Sequence, residues 1–169
     1  MPSIRVSKQL NQGTYFITFT VKNWSYILDR HGRWNLLAQT LKWYQKNKNL
    51  KIYGFVFMVN HIHLLIKSED VIDFIRGFKS FNAREILKNI KITENLILND
   101  FYDDKRNKYE LWEKTNMPKG IESEKFFYQK LKYIHENPVK KNYVMKVEDW
   151  YWSSANEDCI LKVDDVYMG

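Results

Sequence analysis

The sequence predicts an α+β domain on a mainly antiparallel sheet. Three observations carry that prediction: segments of period-two apolarity alternate with segments of helical periodicity, two strands follow each other across a turn too short for a crossover, and no linker interrupts the series. The first element is TYFITFTV at 14–21, where Tyr15, Ile17, Phe19 and Val21 alternate with Phe16, Thr18 and Thr20, a strand with one strongly apolar face. RWNLLAQTLKWYQKNKN (33–49) sets Leu37, Leu41 and Tyr44 at spacings of four and three, with lysines gathering towards its end, and reads as an amphipathic helix. KIYGFVFMVNHIHLLI (51–66) is too long for one strand of ~5 to 6 residues, and Val59 with Asn60 is the place to turn, so a hairpin over 51–58 and 61–67 is expected. Ser68 or Asp70 can cap VIDFIRGFKSFNAREILKN (71–89), a helix with an apolar stripe of Val71, Phe74, Ile75, Phe78 and Phe81 despite Gly77. The stretch 91–120, with Pro118 and Gly120, reads as loop-rich with a short strand at 109–113. A last helix starts near Ser123 and should stop at about Asn137, because Pro138 disfavours helix before it.

A chain of 169 residues with 44% hydrophobic residues fits a single domain, whose core is expected over about 12–155, followed by an acidic tail at 156–169. The 6 Trp, 11 Tyr and 10 Phe are enough to fill a core and still line a surface. With 27 Lys and Arg against 20 Asp and Glu, the formal charge of +7 favours polyanionic partners over acidic small molecules. The single Cys159 excludes an internal disulfide framework and a paired-thiolate zinc site, which suits a reducing cytoplasm. The opening MPSIRVSKQLNQG has no apolar leader, and no stretch approaches the ~20 apolar residues of a membrane span, so a cytoplasmic protein outside the membrane is expected.

Chemistry concentrates in two places. His61 and His63 lie two apart on a strand, so both imidazoles point to one face and can converge on one ion. Two hydrogen-bonded structural histidines would fit the same spacing. Tyr133 and Asn137 lie four apart on the last helix and share a face, with Gln129 extending the row and His135 turned elsewhere. Alone, Tyr133 reads rather as a core aromatic beside Phe126 and Phe127, with Asn137 a helix-end residue ahead of Pro138.

The joint pattern resembles the single-tyrosine HUH transposases, the REP-associated tyrosine transposases above all. The matching segments are GFVFMVNHIHLLI (54–66), FKSFNAREIL (78–87), KLKYIHENPVKKNYV (130–144) and EDWYWSSA (148–155), in order behind the strand YFITFTVKN. One departure is Val59, where the family has Pro, which bears on turn stiffness. The resemblance implies a ferredoxin-like or RRM-like sandwich. It also implies a divalent metal, Mg or Mn, on His61, His63 and the Asn137 amide oxygen, and Tyr133 as the nucleophile. The expected reaction is single-strand cleavage and rejoining beside a DNA hairpin through a 5′-phosphotyrosine. Neutral ligands would leave the metal its full charge, and a phenol, with a pKa near ~10, needs help to shed its proton.

The partner is then single-stranded or hairpin DNA. Arg76, Lys79, Arg84 and Lys88, the loop residues Lys105 and Arg106, and Lys130, Lys132, Lys140 and Lys141 could contact phosphates, and Trp112, Trp150 and Trp152 could stack on bases or pack the interior. The family implies either a homodimer with exchanged tyrosine helices or a monomer, and EDWYWSSA, by locking that helix, favours the monomer. Two readings compete: a domesticated hairpin-binding protein on the same fold without transposition, and an RRM-like RNA-binding module whose sheet aromatics Phe16 and Phe57 stack bases. An unrelated His-x-His metallohydrolase would need a carboxylate partner that the sequence does not place.

Overall fold

The structure, a computed structural model, describes residues 13–116 and 118–166; the opening MPSIRVSKQLNQG, and the expectation made for it, lies outside them except for Gly13. The elements are β1 (Gly13–Thr20), α1 (Arg33–Asn47), β2 (Lys51–Phe57), β3 (His61–Ser68), α2 (Val71–Thr93), the two-residue strands β4 (Tyr102–Asp103), β5 (Lys108–Tyr109) and β6 (Lys119–Gly120), and α3 (Glu124–Lys140). The main sheet runs β2-β3-β1-β6 with every pairing antiparallel, the strand order of a ferredoxin-like β-α-β-β-α-β unit, while β4 and β5 form a separate small ribbon. This is the α+β sandwich the sequence predicts. Among the described residues no helix is long and apolar enough to cross a membrane.

Alternation along the strands builds two cores. Tyr15, Ile17 and Phe19 of β1, Phe55 and Phe57 of β2, and Ile62, Leu64 and Ile66 of β3 face α1 and α2 on one side. Phe16, Tyr53, Val56 and Leu65 face α3, with Phe127 and Ile134, on the other. Both faces of the hairpin are therefore covered, which explains its apolar residues in and out of phase. The Asp70 side chain caps α2 by accepting from the Asp73 N–H, and Ser123 caps α3 by accepting from the Phe126 N–H.

Three expectations are corrected. The helix α3 does not stop at Asn137 but carries Pro138 within its last turn. There the missing N–H removes one terminal bond, and closure comes instead from Lys141 N–H donating to Asn137 O and Tyr143 N–H to Pro138 O, with Asn142 left-handed at φ 61°. The strand expected over 109–113 splits, with Lys108 and Tyr109 in β5 and Trp112 in an isolated bridge to Val21. Finally, the core does not end near 155: Cys159 and Leu161 join the first core, and the Asp164 carboxylate accepts from Ile52 N–H and from Gln45. Acidic residues in that segment hid a return pass of the chain.

Candidate active site

β3 runs between β1 and β2 in the sheet, and its register sets Thr20 opposite His61 and Thr18 opposite His63. These histidines occupy the α3 face, where strand alternation from Leu65 puts them. His63 Nδ1 lies 2.7 Å from Thr18 Oγ1, and His61 Nδ1 lies 2.7 Å from Asn60 Oδ1. The Asn60 amide is itself oriented, because its Nδ2 donates to Trp24 O at 3.3 Å. Its oxygen thus faces His61, so Nδ1 of that ring must carry the proton and Nε2 keeps its lone pair. The imidazole rings are 4.8 Å apart.

Burial shifts both rings towards neutrality. His61 is pushed down to about 4, first by burial and then by the Lys141 charge. His63 is pushed down to about 3 by burial, then by His61 and Lys130. At neutral pH both are bare donors.

α3 lies across this face. The Tyr133 ring stands 5.3 Å from His63 and 5.9 Å from Phe16, which in turn stacks on His63 at 5.3 Å. Tyr133 is 40% exposed, open to solvent on its far side and therefore not simply a core aromatic. One turn later Asn137 is buried, between Tyr133, which flanks His63, and Lys141, whose charge is felt by His61. Its Oδ1 is buried with no hydrogen-bond partner, and so is His63 Nε2. Unpartnered buried polar atoms are costly, so each of these two atoms is a place where a further partner would be stabilising. Among the described residues no third His, Cys, Asp or Glu joins the histidines in a group that could hold a metal ion.

The predicted basic residues divide between the two faces of the sheet. Lys132, Lys140 and Lys141 belong to the α3 side; Lys140 Nζ lies 5.9 Å from the Tyr133 ring centre, and the exposed Lys132 and Lys140 both pair with the half-buried Glu136. Lys130, 5.4 Å from the same ring, also sits over Phe16 at 4.7 Å. Arg76, Lys79 and Arg84 are on α2, across the sheet, where they line a groove with Arg106, Lys108, Lys114 and Asn116. Lys79 is partly committed there, its ammonium donating to Glu113 O at 3.0 Å, and burial lowers its pKa. Asn116 is buried in that groove with both amide atoms unpartnered.

Of the three tryptophans considered for stacking, Trp112 is buried against Phe19, and Trp150 and Trp152 pack around Trp34. Phe16 and Phe57 are likewise buried, 6% and 0% exposed, so neither offers the open stacking face that an RRM-like reading needs. The residues that sequence reasoning missed as site neighbours are Thr18 and Phe16. Thr18 belongs to the less apolar set of its strand, a legible signal, but only the register says which histidine it meets.

Comparison with known proteins gives the family and the fold. The model of the IS200-like transposases matches residues 9–137, and the chain belongs to that family. Among solved structures, a REP-associated tyrosine transposase bound to a REP hairpin superposes with a TM-score of 0.62 at 22% identity, covering 99% of this chain and 94% of that one. A protein of Deinococcus radiodurans R1 described as a candidate transposase superposes with a TM-score of 0.48 at 17% identity, covering 78% and 95%. No curated protein matches.

Proposed function

We propose that this transposase-family protein cuts and rejoins single-stranded DNA beside a hairpin, with Tyr133 as nucleophile and a divalent metal, Mg or Mn, on His61, His63 and Asn137. The observation that carries the reading is the meeting, within one chain, of the Tyr133 ring with His63 while His63 Nε2 and Asn137 Oδ1 stay unpartnered. A cation at those atoms supplies positive charge against the phosphate oxygens. Tyr133 Oη then attacks phosphorus, the bond to the 3′ oxygen breaks, and that oxygen leaves as a hydroxyl, taking up a proton while the phenol gives one to solvent. The phosphotyrosine keeps the ester bond energy, so rejoining needs no nucleotide.

The chain's own residues position these events. Thr18 and Asn60 hold the two rings, and α3 ties nucleophile to ligand through one rigid turn. Lys130 and Lys140 flank Tyr133, and the exposed pairs with Glu136 are weak enough to yield to a phosphodiester. The groove on the α2 side offers Arg76, Arg84 and Lys108 to duplex phosphates, with Lys79 at its floor. The protein of the 0.62 superposition was solved on a hairpin, which supports this partner. Nucleophile and histidines meeting in cis favour a self-sufficient monomer over exchanged helices.

Labelled hairpin DNA with single-stranded flanks, incubated with Mn or Mg, should give a covalent adduct that Tyr133→Phe abolishes. Retention of the adduct in Tyr133→Phe with loss in Tyr128→Phe would reassign the nucleophile. DNA binding without any adduct in the parent would favour the domesticated reading.

A further inference from the structure

The turn between β1 and α1 carries an unusual feature. Asn23 and Trp24 are consecutive residues in the left-handed region, φ 58° and 56°, in a short 3-10 turn. A bulky residue there is strained and persists only where its surroundings hold it. They do: Trp24 N–H donates to Val21 O, Asn23 N–H to Glu113 Oε1 at 2.7 Å, and Trp24 O receives Asn60 Nδ2. Glycine would meet the backbone demand with less strain. The indole itself contributes little to the interior, being 58% exposed, and its ring contact is edge-on to His61 at 6.0 Å.

Its position is informative. Trp24, His61, His63 and Tyr133 follow one another as ring neighbours at 6.0, 4.8 and 5.3 Å. Trp24 also walls an open cleft of about 660 Å³ with Tyr26, 63% exposed, Asn60 and Lys141, and Lys141 makes no ion pair among the described residues. An exposed indole beside a cation, next to a site for a phosphodiester, has the chemistry of a stacking platform with a phosphate contact. The geometry points to Trp24 as a positioning residue that stacks an unpaired base of the cut strand on the His61 side of the scissile phosphate, with Lys141 on the adjoining backbone. The inference rests on the strand-cleaving reading, but its test is separable from it.

The probe is a labelled DNA hairpin with single-stranded thymidine flanks, paired with a second hairpin whose flanks are base-less sugar phosphate. Binding is read by anisotropy in Mn, on a Tyr133→Phe background so that no strand is cut. Removing the flank bases should weaken binding on the order of 5- to 100-fold when Trp24 is present. Trp24→Ala should lose the same factor on the thymidine probe and no longer distinguish the two, while Trp24→Phe keeps most of the affinity. Trp24→Leu, similar in bulk but without a ring face, separates stacking from folding and should behave as Ala. The inference is overturned if Trp24→Ala still discriminates the probes, if Trp24→Leu binds like Trp24→Phe, or if the substitution changes elution volume instead, which would give this face to a second copy of the chain. Adduct formation by the Tyr133 parent is scored apart, so failure of the cleavage reading leaves the binding result standing.

Discussion

At the residue scale the site depends on two hydrogen bonds that fix the imidazoles by their Nδ1 atoms. Thr18→Val leaves the strand intact but frees the His63 ring, and metal affinity measured by titration calorimetry should fall ~10- to 100-fold, the range for losing such a partner. The depressed pKa values make a second prediction. Both histidines ordinarily titrate near ~6.5 when unfolded, and folded they stay neutral down to about 4 and about 3. Between those values the unfolded chain binds protons that the folded chain refuses, so stability is full above ~6.5 and is lost as pH falls towards 4, each such proton adding ~1.4 kcal/mol per pH unit to the slope. Denaturant melts of the metal-free protein across that window should show the decline, and a His63→Asn variant should show a shallower one. That His61 shares a face with His63, and Tyr133 with Asn137, was legible because a single strand or helix enforces each spacing, whereas the proposed chemistry came from the family resemblance. Thr18 and Trp24 were not legible, since one needs a strand register 45 residues away and the other a backbone conformation.

At the element scale, α3 packs closely on the hairpin at Gly54. A Cβ on Gly54 would come within 2.5 Å of Leu131 Cδ1, on the helix that carries Tyr133 and Asn137. Gly54→Ala should therefore push the end of the Leu131 side chain aside with α3 kept in place, and neither the melting temperature nor the adduct yield should change much. The α1–α2 pair has its own anchor. Arg33 is fully buried, its guanidinium 2.6 Å from Glu94 and donating to Ile27 O and Asn89. Glu94→Ala strands that charge and should cost about 3 kcal/mol in chemical denaturation. Helices and hairpin were readable from periodicity, Pro138 misleads because a proline in a last turn breaks a bond that capping residues replace, and the ribbon of β4 and β5 is too short for alternation to register.

At the scale of the whole molecule, basic groups sit on both sides of the sheet, around Tyr133 and along the α2 groove. If six phosphates are contacted, raising salt from about 50 to 200 mM should weaken hairpin binding on the order of 10³-fold, and removing Arg76, Arg84 and Lys108 should flatten the logarithmic salt slope by roughly 0.9 per residue. The net charge signalled such a partner, while the division of cations between two faces depends on which side of the sheet each helix takes. The segment after α3 has a structural role of its own. Phe57 N–H donates to Trp152 O and Ser154 N–H to Phe55 O, so this stretch lines the outer side of β2. A chain cut back to residue 148 would lay bare a row of amides and carbonyls able to recruit neighbours edge to edge. Its expected fate is sedimenting, thioflavin-positive fibre, a hazard that the tryptophan-rich return keeps sealed.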